Sequence, residues 1–145
     1  MSFLFKKICI ASDHAGFKLK EEIKKFLVKK RKKVLDLGTK NTSSVDYPDY
    51  AHLLSKKMRK SDDQFGILIC GSGTGMSIVA NKHKNIRAAL CYNKKSTKLS
   101  RSHNNANVMT LGSRLIKKNV ALQCVNTFLK TDFDGGRHTR RIKKI

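Results

Sequence analysis

Short apolar runs alternate with helically spaced apolar positions along the chain. Ile8-Cys9-Ile10-Ala11 reads as a strand that stops at Ser12-Asp13-His14. Leu19, Ile23, Phe26 and Leu27 then recur at helical spacing, with lysines assigned to the opposite, solvent face. Val34-Leu35-Asp36-Leu37 forms a second strand, closed by Gly38 and a polar Asn/Thr/Ser loop. Pro48 ends that loop ahead of a helix carrying Ala51, Leu53, Leu54 and Met58. Gly66 to Cys70 is the most apolar strand and runs into Gly71-Ser72-Gly73-Thr74-Gly75, followed by a short helix through Ile78, Val79 and Ala80. Arg87 to Cys91 and Asn107 to Leu111 supply the fourth and fifth strands. Ala121, Cys124, Val125 and Phe128 mark the last helix, and Asp132 to Ile145 reads as a polar tail. Strand and helix alternating with short connections predict an α/β fold: a five-stranded parallel sheet between helix layers, as one domain over residues 1–145. Right-handed crossovers would set the functional loops at the carboxyl ends of the strands.

Composition changes this picture in one respect. The 145 residues include 32 Lys plus Arg against 10 Asp plus Glu, a net charge of +22. Such a field attracts polyanions, and equally a phosphorylated metabolite. The lysines are spread through nearly every segment, and no basic stripe interleaved with aromatics accompanies them, so a solvated surface is favoured over a nucleic-acid site. No apolar stretch approaches the roughly 18 to 20 residues of a membrane span. Lys6 and Lys7 interrupt the apolar start, against a signal peptide. Cys9, Cys70, Cys91 and Cys124 are widely spaced with no CxxC pair, which speaks against zinc or a redox dithiol and for a reducing, cytoplasmic setting.

Three clusters are expected to converge on one edge of the sheet: Asp13-His14, Cys70 with its glycine loop, and His103-Asn104-Asn105 before the fifth strand. The glycine loop carries the most information. Glycines at alternate positions let the backbone turn tightly and present amides to an anion, aided by the helix that starts there. A dinucleotide loop needs GxGxxG and an acidic residue about 20 positions on. Here the spacing is GxGxG, and from Gln64 to Thr131 there is no Asp or Glu. A Walker loop lacks its Gly-Lys-Ser/Thr ending. Cys9, Cys91 and Cys124 read as core thiols, whereas Cys70 can be either a core thiol or a reactive one held toward thiolate by its basic, helix-terminal surroundings. Asp13 can equally serve as a local cap. The residues alone therefore describe an anion-binding α/β enzyme with a cysteine base as one option.

The segments ASDHAGFKLK, DYPDYA, ILICGSGTGMSIVANK, IRAALC, LSRSHNNANVMTLGSR and FDGGRHTRRIKKI resemble, in order and from Ile8 to Ile145, the type B ribose-5-phosphate isomerases. That family includes galactose-6-phosphate isomerase subunits and allose-6-phosphate isomerases. The resemblance implies a Rossmann-like three-layer domain, a homodimer or a dimer of dimers with its site shared between subunits, and no metal or organic cofactor. It implies aldose–ketose interconversion of ribose 5-phosphate and ribulose 5-phosphate through a cis-enediolate.

Residue by residue, the resemblance makes Cys70 the base between C2 and C1. Another branch of the family uses a glutamate just after the glycine loop, where this chain has Met76. The amides of Gly71, Ser72, Gly73, Thr74 and Gly75 would hold the enediolate oxygen, as preorganised donors aimed at developing charge. His103 would open the furanose ring, with Asn104 on the sugar. Asp13 and His14 match the sugar- and phosphate-contacting pair, Arg137 and Arg141 the phosphate clamp, and Arg114 a further binding arginine, their planar forks suiting phosphate oxygens. The six-carbon allose 6-phosphate is the alternative substrate. A basic nucleic-acid-binding α/β protein is the alternative class.

Overall fold

The computed structural model describes residues 7–58 and 63–145. Residues 1–6, where the amino-terminal targeting pattern was read, lie outside them. Five strands, β1 (Lys7–Ser12), β2 (Lys33–Asp36), β3 (Gln64–Cys70), β4 (Ala88–Leu90) and β5 (Val108–Gly112), form one sheet in the order β2-β1-β3-β5-β4. Every pairing is parallel. The predicted α/β architecture therefore holds, with β3 at its centre.

The period-2 alternation of the strands feeds two separate cores. Ile8, Ile10, Phe65, Ile67 and Ile69 point toward α1 (Phe17–Lys29) and α5 (Lys118–Lys130), burying Ile23, Leu27, Ala121, Val125 and Phe128. Phe65 stacks on Phe128 with ring centroids 4.7 Å apart. On the other face Cys9, Ala11, Leu68 and Cys70 meet α2 (Tyr47–Met58) and α3 (Thr74–Ala80) through Ala51, Leu54, Met58, Met76 and Ala80. Helices thus cover both faces. No described helix is long and apolar enough to cross a membrane.

Four readings need correction. Lys20, assigned to the solvent face of α1, is fully buried, and its Nζ is held by both Asp36 carboxylate oxygens at 2.8 and 2.7 Å. Leu53 and Ile78 are exposed, because the buried stripe of each short helix is narrower than its apolar content. Lys94–Ser102 forms a helix, α4, that apolar spacing does not reveal, since its buried residues are Thr97, Ser100, Arg101 and Ser102. The polar tail is likewise partly helical: Arg137–Ile142 forms α6, whose residues are all outside the core.

Candidate active site

At the carboxyl edge of the sheet, β1 and β3 end side by side, with Ser12 opposite Ile69. The Asp13 amide donates to the Ile69 carbonyl at 3.2 Å, and its buried carboxylate accepts the Gly16 amide at 3.0 Å. Asp13 therefore does bond at the entrance of α1, as the cap reading allowed. It also lines a cavity of about 410 Å³ together with Tyr47, Cys70, Gly71, Ser72, Gly75 and Arg114. His14 stands beside it, its Nδ1 accepting the Val45 amide at 3.2 Å.

The glycine loop is shaped around the cysteine. Cys70 is buried, and its Sγ accepts the Gly73 amide at 3.1 Å. Gly73 has φ +78°, and a Cβ there would lie 2.9 Å from the Leu111 carbonyl carbon, so both conformation and space favour glycine. The Thr74 amide donates to Ser72 Oγ at 3.3 Å. Two of the five loop amides thus have partners within the loop. A Cβ on Gly75 would collide with the Tyr47 ring, which lies flush against the loop. The turn after β5 folds back over this loop: the Ser113 amide donates to the Cys70 carbonyl at 2.9 Å and the Arg114 amide to the Gly71 carbonyl at 3.0 Å. That fold-back carries the Arg114 guanidinium over Gly71. Met76 is buried in the core next to the loop. Burial pushes the Cys9, Cys91 and Cys124 thiols up, Cys91 to about 11, which suits core thiols.

The remaining candidates are elsewhere. His103, Asn104 and Asn105 precede β5, and β5 runs parallel to β3 with Gly66 opposite Val108 and Cys70 opposite Gly112. His103 therefore sits at the amino edge, about 13 Å of strand away from the cysteine edge. The expected convergence of three clusters on one edge does not occur within this chain. The reason is topological: a residue just before a parallel strand is at its amino end, and α4 has to return there.

At that amino edge His103 caps the carboxyl end of α4. Arg101 fixes the turn beyond it: Nη1 donates to Asn105 Oδ1 at 2.9 Å and to the Ala106 carbonyl, and Nε donates to the Thr131 carbonyl at 3.2 Å. The Asp134 amide donates to the Ser102 carbonyl at 3.0 Å, tying the segment ahead of α6 to the end of α4. His138 consequently stacks on His103, with centroids 4.3 Å apart and planes 15° apart. Arg137 and Arg141, one helical turn apart on α6, belong to this second cluster. Side-chain ligand atoms of His103, Asp134 and His138 lie within 4.8 Å of one another, but near-parallel rings direct their lone pairs side by side rather than toward one ion. Tyr47, Asp134 and His138 were not picked out from the sequence, although each lies in or beside a quoted motif.

A doubly wound parallel sheet with a glycine loop, buried cysteine and flanking arginine at its carboxyl edge defines an anion-binding α/β protein. The chain belongs to the Ribose/Galactose Isomerase family, whose model matches residues 8–145. A probable ribose-5-phosphate isomerase B of Mycoplasma genitalium is 47% identical over 147 residues, covering 100% of this chain and 95% of that protein. Among solved structures, a ribose 5-phosphate isomerase of Thermotoga maritima is 54% identical with TM-score 0.92 and covers 95% of both chains. The Mycoplasma genitalium ribose-5-phosphate isomerase B with bound ribulose-5-phosphate has TM-score 0.92 and 46% identity, covering 95% of this chain and 92% of that one.

Proposed function

We propose that this chain interconverts ribose 5-phosphate and ribulose 5-phosphate through a cis-enediolate. The observation that carries this reading is Cys70 at the mouth of the glycine-loop cavity, in a chain 46% identical to a relative solved with ribulose-5-phosphate bound. Cys70 takes the proton from C2 and returns it to C1, and the amide-rich loop stabilises the enediolate oxygen. The Gly73 N–H···S bond fixes the sulfur against the loop. Asp13, His14 and Asn104 contact the sugar and its phosphate, His103 opens the furanose ring, and Arg137 and Arg141 clamp the phosphate with help from Arg114.

The working unit is a homodimer in which the Cys70 edge of one protomer faces the His103 edge of its partner. Two incomplete half-sites on opposite edges of one chain support that arrangement. The chain acts as a single domain, in the cytoplasm and in pentose phosphate interconversion, a setting that four free thiols fit. The decisive experiment measures kcat/KM on ribose 5-phosphate and on allose 6-phosphate, with Cys70→Ser alongside. Preference for the pentose and a loss of about 10² or more in Cys70→Ser are expected. Near-normal turnover in folded Cys70→Ser would refute the cysteine mechanism, and preference for the hexose would reassign the substrate.

A further inference from the structure

His138 is a histidine that the proposed mechanism does not use, yet it is the ring in closest register with one that it does. Its imidazole covers the His103 ring at 4.3 Å and 15°, while the Asp134 carboxylate stands beside both. The contact is built from two directions. Arg101 and the Asp134–Ser102 backbone bond pin the end of α4 to the segment that delivers α6, so the two rings meet without either helix being free to slide.

We propose that His138 is a positioning residue: its ring fixes the plane of the His103 imidazole, so that His103 presents its proton to the ring oxygen of the furanose. The proposal rests on the ring-opening role given to His103. Stacking restrains an imidazole in the two directions that a single hydrogen bond leaves open, tilt and rotation about χ2. It also needs a neutral partner, because two imidazolium rings face to face repel. Partial burial, His103 and the guanidinium groups of Arg137 and Arg141 hold His138 below the usual imidazole range, outweighing the opposite pull of Asp134. His138 is therefore biased toward its uncharged form while His103 handles the proton. Ring opening is needed in one direction of the reaction only. Ribose 5-phosphate is a furanose, whereas ribulose 5-phosphate carries its phosphate on O5 and closes no furanose ring.

The test compares His138→Ala, His138→Phe and His103→Asn with the wild type, following kcat and KM separately for ribose 5-phosphate and for ribulose 5-phosphate. His138→Ala should lower kcat on ribose 5-phosphate by about threefold to tenfold, the scale of one aromatic pair, and leave turnover of ribulose 5-phosphate unchanged. His138→Phe keeps a stacking face and should stay within about twofold of wild type on both. A wild-type kcat for His138→Ala on ribose 5-phosphate overturns the proposal. So does failure of phenylalanine to rescue, or a rise in KM alone, which would mean that His138 merely supports the phosphate clamp. His103→Asn separates the two levels. A one-sided loss there without one in His138→Ala refutes only the positioning role, whereas a one-sided loss in neither refutes ring opening by His103.

Discussion

Mixing two inactive variants should restore activity if the half-sites belong to different protomers. Cys70 ends β3 and His103 precedes β5, and the strand register leaves them about 13 Å apart along the sheet. The atoms that the proposed roles have them serve, C2 and the ring oxygen of one pentose, are two bonds apart. With those roles, the register of one chain does not bring both groups to one sugar. In a C2 dimer of Cys70→Ser every site lacks its base, and in a dimer of His103→Asn every site lacks its ring-opening group. A hybrid of the two has one site carrying both defects and one carrying neither. Random pairing makes half of the dimers hybrid, and each hybrid has one intact site of two, so the mixture should reach about one quarter of wild-type activity on ribose 5-phosphate. The assay co-refolds equal amounts of both variants from urea and compares their turnover with each variant refolded alone. Purifying the hybrid through two different tags should raise the figure to about one half. A mixture no better than the mean of its two components would refute the split-site argument.

Four other outcomes follow from the same contacts. Arg137→Ala and Arg141→Ala should each raise KM for ribose 5-phosphate by an amount equivalent to about 1.5 to 3 kcal/mol, and unchanged KM in both would remove the clamp. Iodoacetamide should label Cys70, with protection by saturating substrate, and spare Cys9, Cys91 and Cys124, whose thiols burial pushes up; peptide mapping decides it. Asp36→Asn should cost about 2 to 3 kcal/mol in urea unfolding, because Lys20 is fully buried and, of its two carboxylate partners, would keep Glu21 at 3.3 Å. Burial pulls the Asp36 carboxyl up, but hydrogen bonds from Lys20, Lys24 and the Gly38 amide win and leave it lowered. Its contribution is therefore complete above the ordinary carboxylate range and is lost as pH falls through the lowered value, a slope that Asp36→Asn should flatten. Gly73→Ala should destabilise by about 2 kcal/mol and misplace the amide that meets Cys70, read as a lower urea midpoint together with reduced kcat.

The central strands and α5 were legible in the sequence because burial on one or both faces imposes a period that few other arrangements share. β3 is apolar from Phe65 to Cys70 as the middle strand of a covered sheet, and α5 repeats its buried residues at helical spacing. α4 escaped for the converse reason. In KKSTKLSRS the only large aliphatic is Leu99, which is exposed, and the helix is held instead by an Asn93–Ser96 capping box and buried hydroxyls. The cap was the available signal, with Asn93 Oδ1 accepting the Ser96 amide at 2.7 Å. Lys20 was misplaced because its partner Asp36 is 16 residues away, and no local periodicity reports an ion pair closed by the fold. The glycine loop was legible as a tight turn, since alternate glycines after an apolar strand mark one and Gly73 adopts φ +78° there. The address of His103 was not, although the parallel-sheet rule already distinguishes a residue that follows a strand from one that precedes it.

That distinction also bears on the proposed division of the site. In a parallel α/β sheet every helix runs back against the strands, so the carboxyl edge collects helix amino ends and the amino edge collects helix carboxyl ends. Asp13-His14 leads into α1, and the glycine loop leads into α3. Backbone amides with positive partial charge are therefore available where the proposed reaction has an enediolate oxygen to hold. His103 caps the carboxyl end of α4, beside carbonyl groups that carry negative partial charge. In the proposed mechanism the enediolate forms against the helix amino ends, and the proton for the ring oxygen comes from the opposite edge. A single chain turns these edges in opposite directions, and a twofold axis is the simplest operation that sets one against the other. The proposed division of the catalytic groups between protomers thus agrees with the direction of the helices.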